Sequence, residues 1–356
     1  MDSLTQIVLG AAVAETVIGK KIGRKASLYG AILGTLPDLD VLWVKNAVDS
    51  FTEHRGFSHS LITLFLVSPI FAMLFKRWHP IGLDKQNISF RYWVFSVYAV
   101  LATHPLLDWF TVYGTQLFWP LTNFPFGLGS VFIIDPLYTV PFALCLLATI
   151  ITRKRFPVIL GIGMSCSYLT WSLYAQNTQA ELFSKALEQK GVEVKKTMTL
   201  PMPLNTMLWK NISIVENGYW VGMRSVFDSE QAKPQFRFFK SQSEKIQPVL
   251  TSETVKKLQF FTKGFYQVKQ QDDGIWVSDL RMGGFGNFVF NFKVAEVDNA
   301  SPEDLIKPIE PDLIVAKSLR PTGEKLNQSL DAMKQRIFDE NVDLFPLFDG
   351  AEMINQ

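Results

Sequence analysis

Four histidines and two cysteines in 356 residues leave little imidazole or thiol for chemistry, and that scarcity excludes several readings at once. Cys145 and Cys166 both fall inside apolar runs, so neither a disulfide framework nor a cysteine metal site is expected, and each reads as a small buried side chain. There is no His-Glu-x-x-His zinc-protease motif, no phosphate-cradling glycine loop and no Gly-x-Ser-x-Gly elbow. Basic patches with interleaved aromatics are also missing, and the formal net charge is only +2, so no nucleic-acid partner is expected. Neither an internal repeat nor a low-complexity tract is present. The opening Met1-Asp2-Ser3 has an acidic flank and no small-residue cleavage site comes after it, so the first apolar run is expected to stay attached.

Hydrophobic side chains, by contrast, are abundant at 48% of the sequence, and they concentrate before about residue 176. Six apolar segments are predicted as helices: 4–18, 26–44, 60–75, 92–107, 131–151 and 156–175. The last four are each long enough to cross, or nearly cross, a hydrocarbon core of roughly 30 Å. If all six cross, the loops at 19–25, 76–91 and 152–155 share one side and carry eleven basic residues, among them Lys20, Lys21, Arg24, Lys25, Lys85 and Arg153. The opposite loops offer only Lys45 and Arg55. The positive-inside rule then makes the first side cytoplasmic and puts both termini outside. After about residue 176 the pattern becomes that of a soluble α+β domain. A helix is predicted over 178–190, a hairpin from 206–215 and 219–227 joined at Glu216-Asn217-Gly218, further strands at 260–268, 274–280 and 287–297, and a helix at 322–338. Asp272-Asp273-Gly274 reads as a turn.

Three of the four histidines lie in two short motifs, His54-Arg55-Gly56-Phe57-Ser58-His59-Ser60 and His104-Pro105-Leu106-Leu107-Asp108, and Pro37-Asp38-Leu39-Asp40 lies just upstream. Asp38 and Asp40 close the second predicted helix, His54 and His59 open the third, and His104 and Asp108 close the fourth. All six therefore reach the same, outer, face, where Asp2, Gln6 and Asp135 join them. Imidazole and carboxylate are the donors that zinc prefers, with manganese or iron next, and the set could hold one ion or two. The stretch 26–36 spans roughly 16 Å as a helix, so Asp38 and Asp40 are expected below the membrane surface, where a carboxylate is costly unless paired or bound to a cation. Arg55 could meet a substrate phosphate or carboxylate, or equally form a structural ion pair. Asp135 could be a ligand, a general base or a helix cap. His79 falls on the cytoplasmic side and is expected to have no part in the site. The loop 109–130 holds no charge but many aromatics, which suits an interfacial loop or a packed lid.

With Asp2-Ser3-Leu4-Thr5-Gln6 and Tyr113-Gly114-Thr115 added, these motifs, in this order and spacing, resemble the YdjM-like family of inner-membrane metal-dependent hydrolases, which is LexA-regulated, over roughly residues 1–160. The resemblance implies a polytopic bacterial membrane protein with Asp38, Asp40, His54, His59, His104 and Asp108 in the ligand positions. That family often places histidine where this chain has Gln6, which leaves the metal count open. A more distant likeness to zinc-dependent phospholipases C, carried by the His-x-x-x-Asp pattern, implies a phosphodiester substrate.

The expectation is therefore an all-α polytopic membrane domain over 1–176 followed by an extracytoplasmic α+β domain over 177–356. Its site would use metal-activated water on a lipid or lipid-linked phosphoester, with Asp40, Asp135 and Arg55 as catalytic groups. The alternative is a regulatory or partner-binding protein whose metal only braces the bundle, the C-terminal domain binding a protein partner. Metal transport would require ligands along a path through the bilayer, whereas these share one face.

Overall fold

A computed structural model of the protein describes residues 1–42, 46–79, 88–271, 274–284, 287–298, 305–309, 316–317 and 323–347. Lys45, Lys85, the Asp272-Asp273 turn and the ends of the predicted helices at Trp43-Val44 and Thr322 lie outside the described residues. The chain divides into two compact units, Met1–Val44 with Glu53–Ser172, and Lys45–Thr52 with Leu173–Gln356.

The first unit is helical. Its elements are α1 (Ser3–Val17), the single turn α2 (Gly19–Ile22), α3 (Lys25–Thr35), α5 (Leu61–Trp78), α6 (Phe90–Trp109), α7 (Pro136–Thr152) and the start of α8 (Phe156–Gln189); α4 (Ala47–Glu53), between α3 and α5 in the chain, falls in the second unit but for its last residue. The segment predicted as one helix over 26–44 breaks. Pro37 has no N–H with which to continue the ladder, so α3 stops at Thr35 and the chain tightens into a 3-10 segment, Pro37–Leu42. Residues 131–135 likewise stay out of α7, whose first turn is closed by Asp135. Among the described residues only α5 and α8 are both long and apolar enough to cross a membrane, not six helices as expected. The apolar helices α1 and α7, with 15 and 17 residues, are shorter. Two buried clusters form the core, one joining α1, α3, α5 and α6 around Leu33, Val97 and Leu101, the other joining α1, α7 and α8 around Leu9, Phe142 and Val158.

Glycine sets the tightest approach. A Cβ added to Gly10 would stand 2.3 Å from the Gly30 carbonyl oxygen, and one added to Gly34 would stand 2.5 Å from that of Gln6. Backbone thus lies on backbone between α1 and α3, the contact that a small-x-x-x-small spacing such as Gly30–Gly34 permits.

The second unit is α+β. The expected hairpin forms as β2 (Leu208–Val215) and β3 (Gly218–Ser225), and β1 (Lys196–Pro201) and β4 (Gln235–Lys240) extend it to a four-stranded antiparallel meander. The end of α8 seals one face, with Phe183, Trp209 and Ala175 fully buried. The separately predicted helices at 156–175 and 178–190 are one continuous α8, so the expected boundary at 176 falls inside it. A second sheet has the order β10 (Leu305–Pro308), β9 (Asn291–Asp298), β6 (Gly274–Asp279), β5 (Tyr266–Gln271), with β11 (Ala316–Lys317) also on β9 and a separate two-stranded pair, β7 (Gly283–Gly284) and β8 (Asn287–Phe288). Phe260 belongs to a helix, α9 (Glu253–Phe261), and not to the predicted strand, because Val255, Leu258 and Phe261 recur at helical spacing and are buried together. The last described helix, α10 (Gly323–Phe338), is pinned by Arg336, whose Nη1 and Nη2 donate to the two oxygens of Asp228 at 2.6 and 2.7 Å.

Lys210 on β2 is buried and donates from Nζ to the Gly283 carbonyl at 2.6 Å. Burial pushes its ammonium down to about 8, against a weaker opposing pull from Asp279. A lysine depressed in the folded state binds fewer protons there than in the unfolded chain between pH 8 and its ordinary value, so stability from this group rises with pH across that window. Relative to Lys210→Met, the full chain is expected to gain up to about 3 kcal/mol in chemical denaturation between pH 8 and 10.5, at 1.36 kcal/mol per pH unit. A pH-independent difference between the two proteins would contradict this.

Candidate metal centre

The site is assembled by four elements of the first unit. The 3-10 segment after α3 brings Asp38 and Asp40, a second 3-10 turn, Phe57–His59, brings His59, and the last turns of α6 bring His104 and Asp108. The start of α1 supplies Gln6 beside them. His104 and Asp108, four apart, project from one face of α6 as their spacing predicts.

At the centre the two imidazoles meet edge on, with His104 Nε2 3.1 Å from His59 Nε2. Their other nitrogens fix the protonation. His104 Nδ1 lies 2.7 Å from the Gly34 carbonyl oxygen, which can only accept, so that nitrogen carries the proton. Ser58 donates its hydroxyl to Asp40 Oδ2 at 2.6 Å and so accepts from His59 Nδ1 at 2.9 Å. With both rings neutral, the two Nε2 atoms are lone pairs pointing at each other, an arrangement that repels unless a metal ion or a further proton lies between them.

The carboxylates surround the same point. Asp38 Oδ1 stands 3.3 Å from His59 Nε2 and 3.4 Å from His104 Nε2, and Asp108 Oδ2 stands 3.5 and 3.6 Å from the same two atoms. All four donor atoms lie within 4.8 Å of one another. Zinc bonds of about 2.0–2.1 Å in a tetrahedron put ligand atoms roughly 3.3–3.4 Å apart. The five measured edges, 3.1 to 3.6 Å, bracket that length. Asp108 Oδ2 is buried, accepts no hydrogen bond and has Arg55 Nε as an ion-pair partner at 3.2 Å, so a lone pair is left that a metal ion could use. The residues present therefore fit a divalent ion held by Asp38, His59, His104 and Asp108.

Asp40 and His54, expected among the ligands, lie outside this quartet. Asp40 is a hub whose Oδ1 accepts from His54 Nδ1 at 2.7 Å, while Oδ2 accepts from Ser58 and from the Arg55 amide at 3.0 Å. It holds His59 through Ser58, the carboxylate support that metal-binding histidines commonly have. Arg55 is buried, with Nε 3.2 Å from Asp108 Oδ2, Nη1 donating to Thr111 Oγ1 at 3.0 Å, and the guanidinium over the Tyr113 ring. Of its two readings the structural ion pair is the one the geometry supports. The Met1 amino group also pairs with Asp108, through Oδ1. Three carboxylates thus face one guanidinium and a buried amino group, leaving negative charge in a largely buried site. Asp135 stands apart as the N-cap of α7, with Oδ1 accepting from the Leu137 and Tyr138 amides and Oδ2 from the Tyr168 hydroxyl at 2.7 Å. The cap is the reading its contacts satisfy. Ser60 caps α5 through the Ile62 and Thr63 amides.

In the sequence Gln6 stands out only as a departure from a histidine; in the structure its Nε2 donates to Asp108 Oδ1 at 3.1 Å and to the His104 carbonyl at 3.3 Å. Gly34 is a site residue that motif reasoning does not reach, although the Gly30-Ala-Ile-Leu-Gly34 spacing is a signal for it. The aromatic loop resolves into a packed base and an exposed tip: Gln116 N–H donates to the Arg55 carbonyl and Leu61 N–H to that of Leu117, while Phe118, Trp119, Leu121 and Phe124 are exposed.

Fold and site together define a helical domain with a buried histidine–aspartate cluster suited to a metal ion, joined to an α+β unit. The family described as YdjM inner membrane protein matches residues 1–179, and the chain belongs to it. Its relatives include the inner membrane protein YbcI of Escherichia coli (strain K12), 36% identical over 105 residues, 29% of this chain and 57% of that protein. The uncharacterized protein YfhP of Bacillus subtilis (strain 168) is 29% identical over 147 residues, 38% of this chain and 42% of that one. The chain thus spans about half the length of these relatives. No solved structure matches it significantly.

Elemental analysis of detergent-purified protein separates ligands from supports. His104→Ala and Asp108→Asn are expected to lose the ion and His54→Ala to keep it, while Asp40→Asn should bind roughly ten- to a hundredfold more weakly. Full retention in His104→Ala would remove the quartet.

Proposed function

We propose that the protein is a metal-dependent hydrolase of the bacterial inner membrane that acts on a lipid or lipid-linked phosphoester. The observation that carries this reading is the pair of Nε2 lone pairs 3.1 Å apart between two carboxylates. Zinc suits the donor set first, with manganese or iron next. A divalent ion there supplies Lewis acidity and lowers the pKa of a bound water to about 7.

The chain's own residues divide the remaining work. Ser58 and Asp40 keep the His59 proton on Nδ1, and the Gly34 carbonyl does the same for His104, so both Nε2 atoms stay available. Arg55 neutralises Asp108 without leaving the buried side. Three of the four donors belong to fully buried residues, whereas the Asp38 side chain is 24% exposed and that of His54 26%, so the site opens along these two. Substrate would enter there, beside the exposed Phe57 and Trp119 whose rings meet at 6.3 Å. Those side chains, with Leu121, favour an amphipathic substrate over a freely soluble one.

A lipid setting is supported by apolar side chains exposed along the helices of the first unit. On α5, Ser68 and Ala72 are buried while Leu66, Ile70 and Met73 are exposed, and on α7 Leu137, Val140, Leu144, Leu147 and Ile151 form an exposed stripe. An exterior as apolar as the core is what lipid selects. In the topology read from loop charge, α1 and α3 form a hairpin with its basic turn inside and Asp38 and Asp40 on the outer side. That parity holds whether or not the 11-residue α3 crosses fully, so an outward-facing site and an extracytoplasmic C-terminal unit result either way.

One observation favours a second reading. Four protein donors can saturate a tetrahedral ion, as in structural zinc sites, and the protein would then be a regulatory or partner-binding membrane protein. The two separate in an assay of the full chain in lipid nanodiscs, supplied with zinc or manganese and fluorogenic phosphoester lipids. The enzyme reading expects chelator-sensitive turnover that falls at least a hundredfold in His59→Ala and Asp108→Asn. A tightly held, non-exchanging ion with no turnover of phosphoester, ester or amide lipids would establish the structural alternative.

A further inference from the structure

The end of the first unit away from the metal centre is built from two basic links. α2 and the turn after it carry Lys20, Lys21, Arg24 and Lys25, the link from α7 to α8 is Arg153-Lys154-Arg155, and neither stretch holds an acid. Crossed arginines join the two: Arg24 Nη2 donates to the Ile150 carbonyl in the last turn of α7 at 3.4 Å, and Arg155 Nη2 to the Thr16 carbonyl in the last turn of α1. Helix C-termini favour cations, so these bonds account for where the two guanidinium groups sit. They occupy one nitrogen of each fork and leave Arg155 Nε buried without a partner.

Among the described residues no carboxylate pairs with Lys20, Arg24, Lys25, Arg153, Lys154 or Arg155. Glu15, in the last turn of α1, accepts instead from the Ser27 hydroxyl at 2.8 Å. Both α3 and α8 start at this end, and neither first turn holds an acid to complement the positive helix terminus. Arg153 closes α7 with a left-handed φ of 59°, a position that glycine fills at less cost. Cationic side chains thus gather where local preference is for an anion or a glycine.

An apolar groove begins where this cluster ends. It runs along α8 from Phe156 to Trp171, past Ile159, Leu160, Gly163 and Met164, with a volume of about 720 Å³. A Cβ on Gly163 would meet nothing within 4 Å, so the groove is open at its middle. At about 1.5 Å per residue it extends roughly 22 Å. That exceeds the roughly 15 Å which one leaflet contributes to a hydrocarbon core of roughly 30 Å.

We infer that the two links and the start of α8 form a binding site for a phospholipid with an anionic headgroup, its phosphate beside Arg24 and Arg155 and an acyl chain in the α8 groove. Arginine forks match phosphate oxygens, and basic clusters at one end of membrane helices attract such headgroups. Charge at one end of an apolar groove selects an amphipathic anion over a soluble one. The site is distinct from the metal centre, because Gln6 and Thr16 lie roughly 15 Å apart along α1. It rests on the membrane setting of the protein and on neither the metal nor the hydrolase reading. In the topology read from loop charge, the lipid belongs to the cytoplasmic leaflet.

The test uses the full chain in neutral detergent, with phosphatidylglycerol and phosphatidylcholine of identical acyl chains as probes and native mass spectrometry as the measure of retention. Phosphatidylglycerol is expected to bind on the order of tenfold more tightly, as several basic side chains near one phosphate imply. The preference should largely disappear in the double variant Arg24→Gln, Arg155→Gln. Lys20→Gln with Arg153→Gln and Lys154→Gln changes only exposed side chains, so it keeps the fold and should lose most of the preference too. Gly163→Leu, which fills the groove, should weaken both lipids alike. Lys76→Gln with Arg77→Gln removes two exposed charges from the end of α5 and should leave the preference intact. Equal retention of the two lipids by wild type, or an equal loss in the α5 pair, would overturn the inference. So would displacement of phosphatidylglycerol by an equal concentration of glycerol 3-phosphate, which would assign the cluster to a soluble phosphate. If the arginine pair fails to fold, the variant at positions 20, 153 and 154 decides. Wild-type protein that takes up no zinc would refute the metal reading and leave this result unaffected.

Discussion

Two neutral imidazoles protonated at Nδ1 cannot rest with their Nε2 atoms 3.1 Å apart in a buried site without something positive, a metal ion or a further proton, between them. That requirement governs the first unit. The proton on His104 is kept at Nδ1 by a backbone carbonyl of α3, and that on His59 by a serine backed by Asp40. Among the described residues Asp38 and Asp108 are the remaining partners of the two Nε2 atoms, both acceptors. Were either tautomer to flip, the pair could satisfy itself with an N–H to N bond and the demand for a cation would vanish. The supports are therefore as necessary to the centre as its ligands.

The supports depend in turn on packing that involves no ligand at all. Gly34 can offer its carbonyl to His104 because α1 and α3 lie backbone to backbone at Gly10, Gly30 and Gly34. That approach also seats Gln6 against Asp108 and the His104 carbonyl. On the other side of the site, a left-handed Arg55 and a closed Gly56 turn carry the His54 region into place. Stability and function thus meet in one set of contacts, and a change that relaxes the fold there changes the ligands' orientation.

Much of this is legible without any coordinates. Helix ends place Asp38, His59, His104 and Asp108 on one face, because apolar segments of similar length alternate in direction and the motifs sit at matching ends. The division between holding an ion and holding a ligand is not legible. Spacing cannot tell which way an imidazole turns, so His54 and Asp40 look equivalent to His59 and Asp38. Asp135 has three open readings in the sequence, and only its contacts with Leu137, Tyr138 and Tyr168 select the cap. Apolar runs overstate helix length where proline intervenes, at Pro37 and Pro136. The start of the predicted strand at 260–268 is helical because the β propensity of Phe260 and Phe261 yields to the buried Val255, Leu258 and Phe261 spacing. That a seven-residue helix between two site motifs belongs to the other unit's core has no sequence signature.

X-ray absorption at the zinc edge of the purified, zinc-loaded full chain tests the centre most directly. The expected spectrum is that of an ion with about four nitrogen and oxygen ligands at about 2.0–2.1 Å, with the outer-shell scattering of two imidazoles. An ion coordinated without imidazole, or by a single one, would contradict the account.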